Sequence, residues 1–141
     1  MLIDTSAVLS HLDGSEKTSP LASHVIDAWV AQGRNPGLVS ALTVMECAVR
    51  PIARQLTAAS ARLRDFFVQT ANLSVEPVDL TVAVEAAAQR ALHRFAPVDA
   101  IIVATAIVHE AAFLVTGDRE WERKLRAASR DLQVVCLPRY V

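Results

Sequence analysis

The sequence contains few of the residues on which several common kinds of binding site depend. Its two cysteines, Cys47 and Cys136, lie far apart in the 141-residue chain and form no Cys-x-x-Cys pair. We therefore expect buried thiols in a reducing compartment, and neither a disulfide nor a zinc site. Aromatic residues make up 5% of the chain, which is too few for a platform on which nucleobases stack. The four histidines show no ligand spacing, which argues against a nuclease driven by histidine.

Long hydrophobic runs and an excess of charge are also missing. No apolar run approaches the roughly 18 residues that a membrane span requires, and the longest, 100–108, is interrupted by Thr105. The N-terminus has no basic segment before its apolar residues, so we expect no signal peptide and a cytoplasmic protein. The net charge of −1 means that any affinity for RNA must come from a local basic surface. The hydrophobic content of 52%, with a mean hydropathy of +0.31, predicts contact with another protein chain.

Strand-like and helix-like segments alternate along the chain. Strands are expected near 1–4, 38–41, 73–78, 112–115 and 133–137, and helices near 5–12, 20–31, 42–55, 57–71, 80–94, 97–108 and 119–129. Ser19 is expected to cap the second helix ahead of Pro20, Asp79 to cap the fifth, and Pro51 to end or kink the third. Continuous apolar strands between helices predict a mostly parallel five-stranded sheet covered on both faces. The fold class is therefore α/β, a single three-layer α/β/α domain over residues 1–141.

Four carboxylates occupy positions that an open parallel sheet would bring together. Asp4 closes the first strand, Asp118 follows the fourth, Glu46 lies just after the second, and Asp99 opens the apolar helix near 97–108. The carboxyl ends of parallel strands form the ligand crevice of such sheets. Carboxylates that converge repel one another unless protons or a cation neutralise them, and their hard oxygens suit Mg²⁺ or Mn²⁺. The pattern predicts a metal site that handles phosphates.

Each acid also has a local explanation. Asp4, Asp99 and Asp118 stand where carboxylates cap or favour helix N-termini, and Glu46 could be an ordinary exposed helical residue. The apolar neighbours of Glu46 and Asp99 weigh against independent roles, because ionised carboxylates are rarely buried without a partner. One cation would explain all four placements at once.

The same residues resemble the motifs of a known family. Ile3-Asp4-Thr5-Ser6, the stretch 42–46 ending in Glu46, the stretch 99–106 beginning with Asp99, and Thr116-Gly117-Asp118 resemble PIN-domain motifs in order and spacing. The chain length and the helix near 80–94 resemble the VapC toxin branch. The resemblance covers essentially the whole chain, and its most specific part is 99–106.

The resemblance implies a metal-dependent endoribonuclease that acts as the toxin of a toxin–antitoxin pair. Asp4, Glu46, Asp99 and Asp118 would hold one or two Mg²⁺ or Mn²⁺ ions, and hydrolysis would leave a 5′-phosphate and a 3′-hydroxyl. Glu120 stands where many relatives carry a further acid, but at i,i+4 it could equally pair with Lys124. Hydroxyls of Thr5, Ser6 and Thr116 could orient these ligands or bind a metal-bound water, or Thr5 and Ser6 could cap a helix.

Arginines near the predicted site could contact RNA. Arg119, Arg123, Arg126 and Arg130 recur on one helical face beside Asp118, although a solvated face with local ion pairs explains the distal members as well. Arg50 lies one turn after Glu46 and is expected to project near the same rim.

Two other function classes stay open on the sequence. A receiver or phosphatase-like phosphotransfer domain would use a similar sheet, but Ser6 replaces the second acid that a phosphatase needs, and no adjacent acidic pair exists for a receiver. A non-catalytic interaction module would use the acids to bind arginines of a partner.

Two kinds of protein partner are expected. VapC relatives are typically homodimers, and candidate contact residues at helical spacing are Val25, Ala28 and Trp29 with Phe66, Phe67 and Thr70; these residues could instead pack onto the sheet. The resemblance also implies a VapB-type antitoxin whose C-terminal segment places an arginine in the acidic crevice.

Overall fold

A computed structural model describes residues 1–128 and 131–141, and it shows helices and strands alternating as expected. The strands are β1 (Leu2–Ile3), β2 (Gly37–Ser40), β3 (Leu73–Glu76), β4 (Phe113–Thr116) and β5 (Gln133–Cys136). The helices are α1 (Thr5–Asp13), α2 (Ser19–Ser23), α3 (Ala41–Ala53), α4 (Thr57–Gln69), α5 (Leu80–His93), α6 (Pro97–Val108) and α7 (Arg119–Ala128). A π-helical segment (His24–Val30) continues α2, and a short 3₁₀ turn (Leu137–Arg139) follows β5.

The strands form one sheet in the order β3-β2-β1-β4-β5, and each described pairing is parallel. Parallel neighbours need a crossover, which the intervening helices supply. The chain moves to one side of β1 for β2 and β3, and to the other side for β4 and β5. This reversal makes the carboxyl end of β1, beside β4, the switch point at which open α/β sheets bind ligands.

Two hydrophobic cores cover the two faces of the sheet. Leu2 and Leu114 point into a core shared with α5, α6 and α7, whereas Ile3 and Val115 point into a core shared with α1 to α4. Successive strand residues face opposite sides of a sheet, so both residues of the two-residue strand β1 are fully buried. The expected three-layer α/β/α arrangement is confirmed.

Two local expectations differ from the structure. Thr18, not Ser19, precedes the first residue of α2, because the Ser19 hydroxyl donates to the Ser10 carbonyl at 2.6 Å and accepts from the Glu16 N–H at 3.1 Å. Pro51 does not end α3 but lies in its last turn, two residues before Ala53. A proline lacks the N–H that would bond to the carbonyl four residues earlier, but at the end of a helix the loss of this one hydrogen bond does not stop the helix from forming. The expected Asp79 cap is confirmed by its bond to the Val82 N–H, at 2.9 Å.

The predicted burial of the two cysteines is also confirmed. Cys47 and Cys136 are buried free thiols. Trp121 holds α7 against the core, with its ring edge-to-face on Phe95 at 5.8 Å.

Among the described residues, no single helix combines the length and the apolar character of a membrane span; α5 and α6 meet that test only as a pair, and they are bent by 117°.

Candidate metal centre

The four predicted acids lie at the carboxyl edge of the sheet, around the switch point. Asp4 directly follows β1, and Asp118 stands two residues after β4. Glu46 is in the second turn of α3, which starts at the end of β2, and Asp99 is in the first turn of α6. Each side chain is therefore placed by a strand end or by a helix that starts at that edge.

Asp4 is the most buried of these acids, at 5% exposed, and three hydroxyl or amide donors hold it in place. Its Oδ2 accepts hydrogen bonds from the Ser6 hydroxyl at 2.6 Å, the Thr116 hydroxyl at 2.9 Å and the Ser6 N–H at 3.3 Å. The last of these bonds makes Asp4 the N-cap of α1. The capping explanation and the shared-site explanation thus both apply to this residue.

Glu46 is oriented by a threonine of the neighbouring helix. The Thr5 hydroxyl donates to Glu46 Oε2 at 2.6 Å, and it lies 3.3 Å from the Thr43 hydroxyl, one turn before Glu46. Ser40 caps α3 through the Leu42 N–H, which fixes the start of the helix that carries Glu46. The hydroxyls of Thr5, Ser6 and Thr116 therefore contact Asp4 or Glu46. The contribution of Thr43 had not been expected from the sequence, although its i−3 spacing from Glu46 was a usable signal.

The charges of the four acids act on one another. Burial raises the pKa of Asp99, and the carboxylates of Asp4, Glu46 and Asp118 raise it further, while Lys124 lowers it. Burial also raises the pKa of Asp4, although the hydrogen bonds from Ser6, Thr116 and Thr5 oppose that rise. The site is thus a cluster of like charges in a partly desolvated place, which favours binding of a cation or a proton.

The same field reaches the buried thiol beside Glu46. Burial, with smaller contributions from Glu46 and Asp4, raises the pKa of Cys47 to about 12. Cys47 is therefore a neutral core residue at physiological pH, and we assign it no role in the chemistry.

Asp118 and Glu120 lie at the start of α7, on the exposed side of the site. The Gly117 N–H donates to the Ser6 hydroxyl at 2.7 Å, and the Asp118 N–H donates to the Thr116 hydroxyl at 3.0 Å. Asp118 Oδ1 accepts from the Glu120 N–H at 2.7 Å. Glu120 itself lies 3.3 Å from the Lys124 ammonium and 3.5 Å from the Arg123 guanidinium, so it makes the i,i+4 ion pair considered from the sequence.

The basic residues proposed to contact RNA lie in two places. Arg50 and Glu46 line a cavity of about 440 Å³ between α1, α3 and α4. Arg119 lines a second cavity, of about 490 Å³, with Ser6 and Asp118, and donates to the Pro138 carbonyl at 3.0 Å. Arg123 is exposed beside Glu120. The side chain of Arg126 and the whole of Arg130 lie outside the described residues.

The acids suit a hard divalent cation in ligand type and charge. They supply carboxylate oxygens only, and the mutual repulsion at Asp99 is what a divalent cation would relieve. Within residues 1–128 and 131–141, however, no three Asp, Glu, His or Cys side chains already converge as a ligand group. The side chains would have to rotate to close on an ion, and Asp118 is the most exposed of the four.

Comparison with known proteins agrees with this geometry. The sequence model of the PIN domain family matches residues 1–126. No curated protein sequence is significantly similar to the chain. Three solved structures illustrate the similarity of fold: VapBC2 from Rickettsia felis bound to a promoter DNA fragment, the toxin VapC20 of Mycobacterium tuberculosis, which cleaves the sarcin–ricin loop, and a toxin–antitoxin complex from Klebsiella pneumoniae.

These structures match almost the whole length of both chains. The Rickettsia protein has 14% identity and a TM-score of 0.71, with 96% of each chain covered. VapC20 has 16% identity and a TM-score of 0.69, with 94% of this chain and 98% of VapC20 covered. The Klebsiella protein has 21% identity and a TM-score of 0.67, with 96% of each chain covered. At these identities the structures establish a shared fold.

Proposed function

The chain belongs to the PIN domain family, and on that premise we propose that it is a metal-dependent endoribonuclease and the toxin of a VapBC-type toxin–antitoxin pair. The observation that carries the proposal is the mutual repulsion of Asp99 with Asp4, Glu46 and Asp118 at the switch point of the sheet. The similarity of fold to VapBC toxins, among them the RNA-cleaving VapC20, supports the same assignment. Family membership also removes the basis for a receiver or phosphatase-like domain.

The acids Asp4, Glu46, Asp99 and Asp118 would hold Mg²⁺ or Mn²⁺, with Glu120 as an auxiliary ligand. When bound, the ion lowers the pKa of a water and neutralises the charge that develops on the phosphate. The like charges at this edge of the sheet need such neutralisation even before a polyanionic substrate arrives.

The side chains around the acids have positioning roles in this proposal. Ser6 and Thr116 donate to Oδ2 of Asp4, and Thr5 donates to Oε2 of Glu46, which would leave the other oxygen of each carboxylate to bind the ion. Attack by water forms a new P–O bond and breaks the bond between phosphorus and the 3′ oxygen, which leaves protonated. The products are a 5′-phosphate and a 3′-hydroxyl.

Removing one carboxylate charge tests the shared site. We expect Asp99→Asn and Asp4→Asn to keep the fold and to lower RNA cleavage by at least about 100-fold. Replacing a residue that only supports a metal ligand costs up to about 100-fold, so loss of a ligand should cost at least as much. The measurement is cleavage of total RNA with Mn²⁺ or Mg²⁺, with circular dichroism as the check on folding. Asp65→Asn is the matched control, because Asp65 is an exposed aspartate of α4.

Calorimetric titration with Mn²⁺ separates this proposal from the alternative of a non-catalytic interaction module. A nuclease site should bind Mn²⁺ in the wild type and in Asp65→Asn but not in Asp99→Asn. Wild-type protein that neither binds Mn²⁺ nor cuts RNA would favour an interaction module whose acids bind arginines of a partner.

Arg50, Arg119 and Arg123 are proposed to hold the RNA backbone. Arg50 shares a cavity with Glu46, and Arg119 shares one with Asp118, so a strand that crosses the site could meet a guanidinium beside each of these acids. Arg123 is bound to Glu120 and would contribute mainly through its charge. Such contacts should show as a salt-dependent affinity for RNA.

A VapB-type antitoxin is the proposed partner. The acidic crevice should accept a guanidinium of the antitoxin when no cation is bound, because arginine pairs bidentately with carboxylates. Co-expression of a short open reading frame adjacent to this gene should then suppress toxicity. Toxicity that no adjacent short open reading frame suppresses would contradict the toxin–antitoxin part of the proposal and leave a stand-alone nuclease.

A further inference from the structure

Lys124 lies on α7, the helix that begins directly after Asp118, and its side chain is only 22% exposed. Among the described residues, it is the cation that lowers the pKa of Asp99, against the three carboxylates that raise it. The lysine lies in the second turn of α7, whose first turn follows Asp118. It is one of only two lysines in the chain, the other being Lys17.

The position of the ammonium is set by contacts on two sides. The Lys124 Nζ atom lies 5.1 Å from the centre of the Phe95 ring and 3.3 Å from Glu120 Oε1. Phe95 is itself buried and stacked edge-to-face on Trp121, so the ring beneath the ammonium is fixed. The lysine side chain is 22% exposed, far less than an ordinary surface lysine. The charge is thus held in place rather than free to move through solvent.

Phe95 also connects this lysine to the acid site. It lies just before α6, and Asp99 is in the first turn of that helix. A cation held over Phe95 is therefore held beside the start of the helix that carries Asp99. An ordinary i,i+4 surface pair would require only Glu120, and would explain neither the burial nor the contact with the ring.

We propose that Lys124 is a positioning residue of the acid site, where its fixed positive charge partly offsets the four carboxylates and lowers the affinity of the site for a divalent cation. This inference rests on the proposed metal-dependent function. It assigns the lysine two effects of opposite sign: it stabilises the metal-free protein by relieving carboxylate repulsion, and it competes electrostatically with the bound ion.

The test replaces the charge while keeping the apolar stem of the side chain. Lys124→Met should bind Mn²⁺ more tightly than the wild type, on the order of five-fold, as expected for loss of one unit charge through a high effective dielectric. Lys124→Arg keeps the charge and should restore the wild-type affinity. Lys17→Met removes the same charge from an exposed turn and is the matched control, which should leave the affinity unchanged. The measurement is calorimetric titration of each purified protein with Mn²⁺ at low ionic strength.

Thermal unfolding supplies a second readout that does not depend on activity. Metal-free Lys124→Met should unfold at a lower temperature than the wild type, and saturating Mn²⁺ should raise its midpoint by more than it raises that of the wild type. A lysine that served only to pair with Glu120 would give equal Mn²⁺ shifts in the two proteins.

A double variant distinguishes loss of the charge from release of Glu120 as a new ligand. The tighter Mn²⁺ binding of Lys124→Met should persist when Glu120→Gln is present in both proteins being compared. Loss of the effect in the Glu120→Gln background would overturn the proposal, and so would equal affinities of Lys124→Met and Lys17→Met. Asp99→Asn tests the metal site itself. If the wild-type protein binds Mn²⁺, neither of these two results would contradict the proposed function.

Discussion

At the scale of single residues, the carboxyl edge of the sheet holds acids whose pKa values are raised by burial and, at Asp99, by the other acids. Asp4 has hydroxyl donors that favour its ionised form, but burial outweighs them and its pKa is raised. The described contacts of Asp99 include no hydroxyl donor, and the other three acids raise its pKa further. The two residues differ in cause but shift in the same direction.

These shifts predict how stability depends on pH when no metal is bound. A carboxyl whose pKa is higher in the folded protein than its usual 3.8 binds its proton more tightly in the fold than in the unfolded chain. Its contribution therefore favours folding at low pH and is lost as the pH rises from the usual value through the raised one. We expect the metal-free wild type to lose more stability than Asp99→Asn as the pH rises from 3.8, the usual value, towards neutrality.

Chemical unfolding of the two proteins across that pH range, in the presence of a chelator, measures the effect. Added Mn²⁺ should remove most of the difference at the higher pH, since the cation replaces the proton as the neutralising charge. Parallel stability curves for the wild type and Asp99→Asn would show that Asp99 carries no such repulsion.

At the scale of elements, two glycines at opposite ends of the sheet allow an effect on stability to be told apart from an effect on the acid site. Gly37 begins β2, at the end of the sheet away from the acids, and a Cβ there would lie 2.7 and 2.9 Å from the two methyl carbons of Val30. Gly117 follows β4, and a Cβ there would lie 3.1 Å from the Ser6 hydroxyl oxygen that binds Asp4. The approach at Gly37 is too close for a Cβ unless neighbours shift, whereas the one at Gly117 is only tight but lies beside the acids.

We therefore expect Gly37→Ala to act mainly on stability and Gly117→Ala to act mainly on RNA cleavage. Gly37→Ala should lower the free energy of unfolding by about 1–3 kcal/mol through overpacking, with unchanged cleavage per folded molecule. Gly117→Ala should displace the Ser6 hydroxyl by a few tenths of an ångström and lower cleavage with a smaller loss of stability. Denaturant unfolding and RNA cleavage, measured on the same samples, check both; a Gly37→Ala protein as stable as the wild type would contradict the packing argument.

At the scale of the whole molecule, several helices keep apolar faces that the fold does not cover. Exposed apolar residues follow one face of α3, at Met45, Val49 and Ile52, and Trp29 is 42% exposed. Of the residues proposed from the sequence for self-association, Phe67 is buried in the core and so cannot contact a second chain directly. Val25 and Phe66 pack partly against the same core, which leaves Trp29 as the clearest candidate contact.

We propose that the chain forms a homodimer in which Trp29 contributes to the interface. Trp29→Ser should then shift sedimentation at micromolar concentration towards the monomer, because tryptophan commonly carries much of the binding energy of an interface. Leu80→Ser is the control, since Leu80 is even more exposed but lies on α5. Dissociation by Leu80→Ser and not by Trp29→Ser would move the interface to α5, and a monomeric wild type would exclude self-association.

The sequence by itself determined the order of elements, the parallel sheet and the four acids, because each depends on signals close together in the chain. Apolar strands between helices require crossovers, and a carboxylate after a strand such as β1 or β4 must lie at the carboxyl edge of the sheet. Caps such as Asp79 are equally local, since their partners lie within three residues.

The tertiary structure alone decided how those acids are held and how they act on one another. The bond from Thr5 to Glu46 and the bond from Thr116 to Asp4 join residues 41 and 112 positions apart, and no short-range pattern encodes them or the order of the strands. The partial burial of Lys124 over Phe95 likewise depends on the packing of α7 against the loop that precedes α6. Local sequence selects which groups reach the edge of the sheet, whereas desolvation and charge at that edge are properties of the packed chain.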